Sequence, residues 1–196
     1  MFITLEGLHG VGKSTVADML ADRLQGAVLI PTIPSELQTA RRFVDSSADV
    51  NARYLFYLSA VSIAADRVRA LSEAGRIVIA ESFIHRTVAF HAGMGASARV
   101  DLPSLQVPVP DLSFYLHCHD TFRRRRLLGR KAATNRWQAL AEVRAPDIAD
   151  AYAAFPFIRV DTTEMNCEQV CEFIVSRLGQ SAGLQSVGAS GGLYAI

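Results

Sequence analysis

The feature that most restricts the fold is a segment near the start of the chain, residues 7–14 (GLHGVGKS), which has the spacing G-x-x-x-x-G-K-S/T. An apolar run precedes it, and the residues that follow repeat apolar side chains at helical spacing, at Val16, Met19, Leu20 and Leu24. A glycine-rich turn between a strand and a helix directs successive backbone N–H groups inward, and the helix N-terminus adds partial positive charge. The segment therefore predicts a phosphate-binding loop.

The loop also predicts the cofactors. Lys13 is spaced to bridge the β- and γ-phosphates of a nucleoside triphosphate, and the Ser14 hydroxyl is spaced to ligate Mg²⁺. No Asn-Lys-x-Asp guanine-reading motif occurs in the chain, so we expect ATP with Mg²⁺ and not a GTP-dependent switch. The residues predicted to contact ATP are Gly7, His9, Gly10, Val11, Gly12, Lys13, Ser14 and Thr15.

Short apolar runs alternate with helical patterns along the rest of the chain. The runs are residues 2–5, 27–30, 77–80, 112–116 and 157–160. Continuous apolar runs between helices are typical of parallel strands covered on both faces, and 196 residues suffice for one such α/β domain. We expect this domain to occupy residues 1–180 and a Gly/Ser-rich tail to occupy residues 181–196.

Composition and charge exclude several classes of protein. The 20 Lys and Arg residues nearly balance the 19 Asp and Glu residues, so a polybasic protein bound to nucleic acid is not expected. Three cysteines are too few for a disulfide framework. No apolar run approaches the roughly 18 residues of a membrane span, and no basic leader is evident. We expect a cytoplasmic protein without nucleic-acid or membrane partners.

Further segments, in order along the chain, carry a family resemblance. They are residues 2–7 (FITLEG), 54–56 (YLF), 75–83 (GRIVIAESF), 89–91 (AFH), 110–112 (PDL), 135–138 (NRWQ) and 160–162 (VDT), with Arg126 and Arg130 in an Arg-x-x-x-Arg pair. Together they resemble the thymidylate kinase-like family of P-loop nucleoside and nucleoside-monophosphate kinases, over about residues 1–178. The resemblance implies a three-layer α/β fold with a five-stranded parallel sheet of order 2-3-1-4-5, flanked by helices, and a lid near residues 120–145.

The resemblance also implies roles for individual residues. Glu81 resembles the Asp of the family's Asp-Arg-Tyr segment and would accept a hydroxyl proton or, with Ser14, serve the metal; the alternative is a carboxylate that caps the next helix. The other residues expected to act in catalysis are Lys13, Arg126, Arg130 and Arg136. The acceptor would lie against Phe56, Ser82, Phe90, His91 and a cation, for which Arg42 is chosen over Arg41 and Arg53 although spacing does not select among them.

Three positions depart from the family pattern on the acceptor side. The family has Asp, Arg and Arg where this chain has His9, Ala60 and Ser82. We therefore expect a phosphotransferase that moves the γ-phosphoryl of MgATP to a nucleoside or nucleoside monophosphate, with altered acceptor specificity. A kinase of a non-nucleotide metabolite and a P-loop NTPase without an acceptor are the alternatives. The apolar stripe of residues 54–68 fits either a homodimer, as in the resembled family, or packing against the sheet.

Overall fold

The structure is a computed structural model and describes residues 1–129 and 135–184. Its five strands are β1 (Phe2–Glu6), β2 (Val28–Ile30), β3 (Val78–Glu81), β4 (Leu112–His117) and β5 (Ile158–Asp161). They form one sheet of order β2-β3-β1-β4-β5, in which each neighbouring pair is parallel. The predicted strands and strand order are confirmed, and the strand ends differ from the predicted runs by one residue at most.

Eight helices connect and cover the strands within the described residues. They are α1 (Lys13–Arg23), α2 (Gln38–Ser47), α3 (Val50–Glu73), α4 (Ile84–Gly93), α5 (Asp120–Leu128), α6 (Arg136–Val143), α7 (Ala145–Tyr152) and α8 (Cys167–Leu184). The last helix continues to Leu184, so residues 181–184, predicted as the start of the tail, are helical. Residues 185–196 of that tail lie outside the described residues. None of the helices in residues 1–129 and 135–184 has the length and hydropathy to cross a bilayer.

The core is divided by the sheet, because successive side chains of a strand point to opposite faces. Ile3 and Leu5 of β1 belong to a cluster that also contains Leu20 of α1 and Ile174 of α8. Phe2 of β1 belongs to a cluster on α3 and the start of α4. Glu6 follows Phe2 by four residues on the same strand, so its side chain points to the same face of the sheet, toward α3 and α4. The strand pattern thus directs an acidic side chain into the layer that carries the candidate acceptor residues.

The apolar stripe of α3 packs inside the chain. Leu58, Val61, Ala65 and Val68 are each at most 4% exposed and join the cluster beneath β3. Packing against the sheet is therefore what the structure shows for this stripe. The homodimer stays a prediction, and on the opposite face of α3 Leu55 and Ile63 are half exposed.

Helices α4 and α7 approach closely, and a glycine makes this possible. A Cβ atom placed on Gly93 would lie 2.5 Å from the Ile148 Cα atom, so no larger residue fits without moving a backbone. Phe90, Tyr115, Ile148 and Tyr152 form a third buried cluster around this contact. The contact fixes α4, which begins directly beyond the end of β3, next to the phosphate-binding loop.

Candidate active site

The phosphate-binding loop joins β1 to α1 at the carboxyl edge of the sheet. Gly7, Gly10 and Gly12 have φ values of 131°, 88° and 101°, in the region that other residues rarely adopt. At Gly7 a Cβ atom would also lie 2.2 Å from the Leu116 carbonyl oxygen of β4. The loop is therefore fixed both by its own backbone and by the neighbouring strand, and α1 begins directly after it at Lys13.

Lys13 lies inside the loop. Its side chain is 5% exposed, and its Nζ atom donates a hydrogen bond to the Leu8 carbonyl oxygen at 2.8 Å. An ammonium held by the loop backbone places a positive charge in the space that the loop encloses. This is the position in which a lysine binds the phosphates that such a loop receives.

Ser14 and Glu81 come together although β3 lies far along the chain from α1. The Ser14 hydroxyl donates to Glu81 Oε1 at 2.8 Å, because α1 starts beside the point where β3 ends. Hydroxyl and carboxylate oxygens are the ligands that Mg²⁺ prefers, usually together with substrate phosphates. The described residues contain no cluster of three or more His, Cys, Asp or Glu that would hold a metal without such phosphates. The pair therefore fits a magnesium ion that arrives with a nucleotide.

Glu81 does not cap the next helix. The N-cap residue of α4 is Phe83, and no side chain caps this helix end. The carboxylate of Glu81 instead lines the cavity described below and bonds to Ser14. The capping role considered from sequence is therefore not observed, and the role of Glu81 toward a nucleotide stays a prediction.

Glu6 is a buried acid that ties β1 to the turn after β3. Its Oε1 atom accepts a hydrogen bond from the Phe83 N–H at 3.0 Å, and the Tyr152 hydroxyl lies 3.5 Å from Oε2. Burial raises the pKa of Glu6 to about 7, against the lowering effects of the Phe83 N–H and of the charges on Arg86 and Lys13. Glu6 thus holds the backbone of the turn after β3 in place, and both of its carboxylate oxygens have partners inside the protein.

Ser82 sits in the turn that Glu6 holds. It has a φ of 71°, uncommon for a residue with a side chain, and it is 4% exposed. The Thr32 hydroxyl, which follows β2, lies 2.5 Å from the Ser82 carbonyl oxygen and 3.0 Å from that of Glu81. This bonding from β1 and β2 sustains the unusual backbone and sets the direction in which α4 leaves the sheet.

A cavity of about 570 Å³ opens beside the phosphate-binding loop, between α2, α3, α4 and the start of α6. It is large enough for a nucleoside or another small metabolite. Five residues predicted from sequence line it, namely His9, Glu81, Ser82, Phe90 and His91. Further lining residues bring charge and aromatic rings, namely Arg41, Asp45, Arg53, Tyr57, Arg86 and Trp137.

Two predicted acceptor residues do not line this cavity. The Phe56 ring packs edge-on against Tyr57, with 5.6 Å between ring centroids, and it is Tyr57 that faces the cavity. Arg42 is exposed and bonds to the Thr39 hydroxyl, whereas Arg41 faces the cavity. One residue along a helix rotates a side chain by about 100°, so an error of one position moves it off the site. The acceptor roles of Phe56 and Arg42 stay predictions, and Tyr57 and Arg41 are the neighbours that line the cavity.

Arg53 forms the floor of the cavity. It is 6% exposed and donates to Asp45 Oδ1 at 2.8 Å, to His91 Nε2 at 2.7 Å and to the Tyr57 hydroxyl at 3.1 Å. Its guanidinium carbon lies 4.3 Å from the Tyr57 ring centroid and 4.9 Å from that of Trp137. The charge of Arg53 is therefore already neutralised by Asp45, and its plane is held between two aromatic rings.

His91 is a neutral member of this floor. Its Nδ1 atom bonds to the Thr87 carbonyl oxygen at 2.7 Å and its Nε2 atom accepts from Arg53, which can only donate. Burial, followed by the positive charge of Arg53, lowers the pKa of His91 to about 3. His91 therefore orients Arg53 and stays uncharged at neutral pH, with its single ring proton on Nδ1.

Two arginines of the predicted lid lie in different surroundings. Arg126 donates to the Thr162 carbonyl oxygen at 2.9 Å, beside the end of β5. Arg136 donates to the carbonyl oxygens of Asp45 and Ala48 at the end of α2. Arg130 lies outside the described residues. For Arg126 and Arg136 to reach the transferred phosphoryl group, as the resemblance implies, these hydrogen bonds would have to be exchanged as the lid moves.

Sequence reasoning missed the structural role of Arg123. This side chain is 2% exposed and binds Glu142 of α6 through two hydrogen bonds, of 2.8 and 2.7 Å. It also donates to Asp120 and, at 3.2 Å, to the His9 carbonyl oxygen. Arg123 thus joins both helices of the predicted lid region to the phosphate-binding loop. Arg123 is the first of four consecutive arginines, residues 123–126, and the sequence does not show which of the four is buried.

The comparison with known families decides the relationship of this chain. A sequence model of the thymidylate kinase family matches residues 5–155. The chain belongs to the thymidylate kinase family. The match spans the phosphate-binding loop, β3 with Glu81, and helices α3 to α7. The resemblance inferred from the sequence motifs is thereby confirmed.

Individual relatives agree with this membership. The thymidylate kinase of Halothermothrix orenii is 31% identical over 138 residues, which are 59% of this chain and 63% of that protein. The chain therefore spans less than two thirds of this relative's length. Among solved structures, thymidylate kinase from Candida albicans has a TM-score of 0.75 at 16% identity, over 92% of both chains. Deoxyadenosine kinase from M. mycoides has a TM-score of 0.68 at 18% identity, over 92% of this chain and all of that one. These two structures share the fold.

Proposed function

We propose that this member of the thymidylate kinase family transfers the γ-phosphoryl group of MgATP to a nucleoside or nucleoside monophosphate, with an acceptor preference of its own. The observation that carries the proposal is the hydrogen bond between Ser14 and Glu81, which unites the nucleotide loop with the acceptor cavity. A protein that only hydrolysed ATP would not need a lined cavity of about 570 Å³ at this point.

The residues at this edge of the sheet would have different roles. The loop N–H groups and Lys13 would hold the triphosphate, and Ser14 and Glu81 would hold Mg²⁺. The ion, when bound, neutralises charge that develops on the phosphate oxygens. With a hydroxyl acceptor, Glu81 is placed to take the proton; with a phosphate acceptor, it orients water on the ion. Catalysis of this kind consists mainly of positioning and charge stabilisation.

The altered preference is supported by the charges at the acceptor positions. The family's two arginines are replaced by Ser82 and by Ala60, which is completely buried in α3. The cavity has instead a floor of Arg53, Asp45 and His91 that is bonded within itself. An acceptor is selected by a few contacts of this kind, each worth about 1–3 kcal/mol. We therefore expect the ranking of acceptors to differ from that of a strict thymidylate kinase.

The test is acceptor-dependent formation of ADP from MgATP, with products resolved by mass. The panel contains thymidine, deoxycytidine, deoxyadenosine, their monophosphates, and hydroxylated or phosphorylated metabolites that lack a base. A nucleoside or nucleotide product heavier by one phosphate supports the proposal. Labelling of a base-free metabolite alone would replace it with a metabolite kinase, and ADP without any product would replace it with an NTPase.

Lys13→Ala is the variant that ties the activity to this site. Without the ammonium, we expect turnover to fall by about 10²- to 10³-fold. Arg67→Ala, an exposed change on α3, is the control and should retain activity. A thermal unfolding curve checks that both variants fold. Normal turnover in folded Lys13→Ala would contradict the whole assignment.

The proposed surroundings follow from this chemistry. ATP and nucleotide acceptors are both available in the cytoplasm, which is the compartment we propose. Small molecules are the proposed partners, without nucleic acid, because positive and negative charges nearly balance in the chain.

A further inference from the structure

A second cavity, of about 210 Å³, lies between the first turns of α4, the segment that precedes β4 and the turn that follows α7. Among the described residues, none that lines this second cavity also lines the acceptor cavity. Its wall consists of Ile84, His85, Val88, Leu102, Pro103, Val107, Val109 and Phe155. The second cavity therefore needs an explanation that does not depend on the acceptor.

Helix α4 separates the two cavities. Ile84 and Val88, one helical turn apart, line the second cavity, whereas Arg86 and Phe90 line the acceptor cavity. Two positions along a helix correspond to a rotation of about 200°, so these two pairs lie on opposite sides of α4. A molecule in the second cavity would consequently contact α4 without contacting the residues that line the acceptor cavity.

The wall of the second cavity favours a neutral ligand. Seven of its eight residues are apolar, and the eighth is His85. A charged group is costly to transfer from water into such surroundings without an opposite charge. Val109 is 59% exposed, so the cavity reaches the protein surface and a ligand can enter from solvent. An apolar cavity of about 150 Å³ can bind benzene, so the volume here fits one aromatic ring with a small substituent.

His85 is the polar residue of this wall. It is 6% exposed, and its ring packs edge-on with Phe155 and Phe157, at 4.8 and 5.1 Å between ring centroids. Burial lowers the pKa of His85 to about 4, so at pH 7 the imidazole is neutral, with one N–H donor and one acceptor nitrogen. Within residues 1–129 and 135–184, neither nitrogen has a hydrogen-bond partner, and Nδ1 is buried. A ligand that supplied a partner would relieve this unfavourable burial.

We propose that the second cavity binds a small neutral aromatic molecule with one hydroxyl group, a phenol in the simplest case, and that this hydroxyl bonds to a ring nitrogen of His85. A hydroxyl both donates and accepts, so it suits whichever nitrogen of a neutral imidazole faces the ligand. The flat ring would pack against Phe155 and the aliphatic side chains. The inference goes beyond the proposed function, because no step of phosphoryl transfer uses this site.

Nuclear magnetic resonance titrations of the full chain locate the site. The probes are phenol, toluene, which replaces the hydroxyl by a methyl group of similar size, and benzoate, which adds a negative charge. We expect phenol to shift the methyl resonances of Val88, Leu102 and Val107, and to leave those of Ile33 in the acceptor cavity unchanged. Benzoate should leave all four unchanged, because the wall contains no cation to pair with it.

Two variants separate the space in the cavity from the role of its histidine. Val88→Phe fills the space with a ring and should abolish binding of both phenol and toluene. His85→Phe keeps a ring and removes both nitrogens, so the ratio of phenol affinity to toluene affinity should fall by about 5- to 150-fold. His119→Phe, at an exposed histidine, is the matched control and should keep the wild-type ratio. Thermal unfolding curves check that each variant folds.

Four results would overturn the inference. The probes could leave the cavity methyl resonances unchanged, folded Val88→Phe could bind phenol as wild type does, or folded His85→Phe could keep the wild-type ratio of affinities. Alternatively, phenol affinity could fall as the protein concentration rises, which would show that a second copy of the chain covers the cavity. The proposed kinase activity is tested separately, by formation of a phosphorylated product, and is independent of these titrations.

Discussion

The Ser14 hydroxyl and the Glu81 carboxylate are separated by 67 positions in the chain and by 2.8 Å in space. Ser14, the second residue of α1, thereby contacts Glu81, the last residue of β3. This contact also joins the start of α1 to the acceptor cavity, since Glu81 lines that cavity. We therefore expect nucleotide binding and acceptor binding to depend on the same carboxylate.

Glu81→Gln removes the charge of this carboxylate and keeps an oxygen that accepts from Ser14. We expect turnover to fall by about 10- to 100-fold and the Mg²⁺ concentration for half-maximal activity to rise, because a hard cation loses an anionic partner. Titration of activity with Mg²⁺ measures both effects. Glu73→Gln, exposed at the end of α3, is the matched control. Superimposable Mg²⁺ curves for wild type and Glu81→Gln would refute the assignment.

Glu6 makes stability depend on pH in a defined direction. Its pKa in the folded chain is about 7, above the ordinary 4.5, because burial disfavours the charged form. Its contribution is therefore fully present below pH 4.5 and is lost as the pH rises through 7. The unfolding free energy of wild type, relative to Glu6→Gln, should fall by about 3 kcal/mol between pH 4.5 and 8. Urea unfolding of both proteins across this range gives the difference, and a flat difference would disprove the prediction.

His91 makes stability depend on pH in the direction opposite to that of Glu6. Burial and the charge of Arg53 lower the pKa of His91 to about 3 in the folded chain. Below pH 6.5 the unfolded chain therefore binds a proton at His91 that the folded chain does not bind. Stability from this group is present above pH 6.5 and is lost as the pH falls. His91→Gln retains an acceptor for Arg53 and removes the titration. From pH 7 to 5, wild type should lose about 2 kcal/mol relative to the variant. Equal losses in the two proteins would show that His91 is protonated in the folded chain.

Arg123 and Arg124 are adjacent in sequence and both pair with Asp120, yet they should contribute differently to stability. Arg123 is buried and also holds Glu142, whereas the side chain of Arg124 is 65% exposed. Arg123→Ala should lower the unfolding free energy by about 2–4 kcal/mol, and Arg124→Ala by about 0–1 kcal/mol. Urea denaturation at neutral pH measures both variants. Equal effects would mean that the buried network does not hold the lid region to the loop.

The sequence was most informative where one local pattern determines structure. The spacing of residues 7–14 predicts the phosphate-binding loop, and the five apolar runs predict the strands and the α/β fold class. Both patterns are local, because backbone hydrogen bonding and burial act over a few residues. Glu81 and Ser14 could be paired in advance, because both follow parallel strands that end at one edge of the sheet. The family resemblance supplied the strand order.

Elsewhere, the sequence did not determine which side of a helix faces the cavity, or which charged residues from distant segments meet there. Tyr57 and Arg41 line the cavity where Phe56 and Arg42 were expected, since sequence spacing does not fix the rotation of an isolated helix. The contact of Arg86 with His9 was missed because the two residues lie on α4 and on the phosphate-binding loop, 77 positions apart in the chain. For Arg86, a signal was present in the sequence: a cation in the first turn of a predicted helix, directly after the Glu81 strand end, opposes the helix dipole.

The close contact of Gly93 with Ile148 also limits how acceptor choice can change. Helix α4 carries Arg86, Phe90 and His91, and its backbone abuts α7 with no space for a single methyl group. The wall of the cavity therefore cannot be widened or narrowed by sliding α4. We therefore expect new substrates to be accommodated by exchanging the side chains that this helix and its neighbours present to the cavity, on a backbone that stays in place.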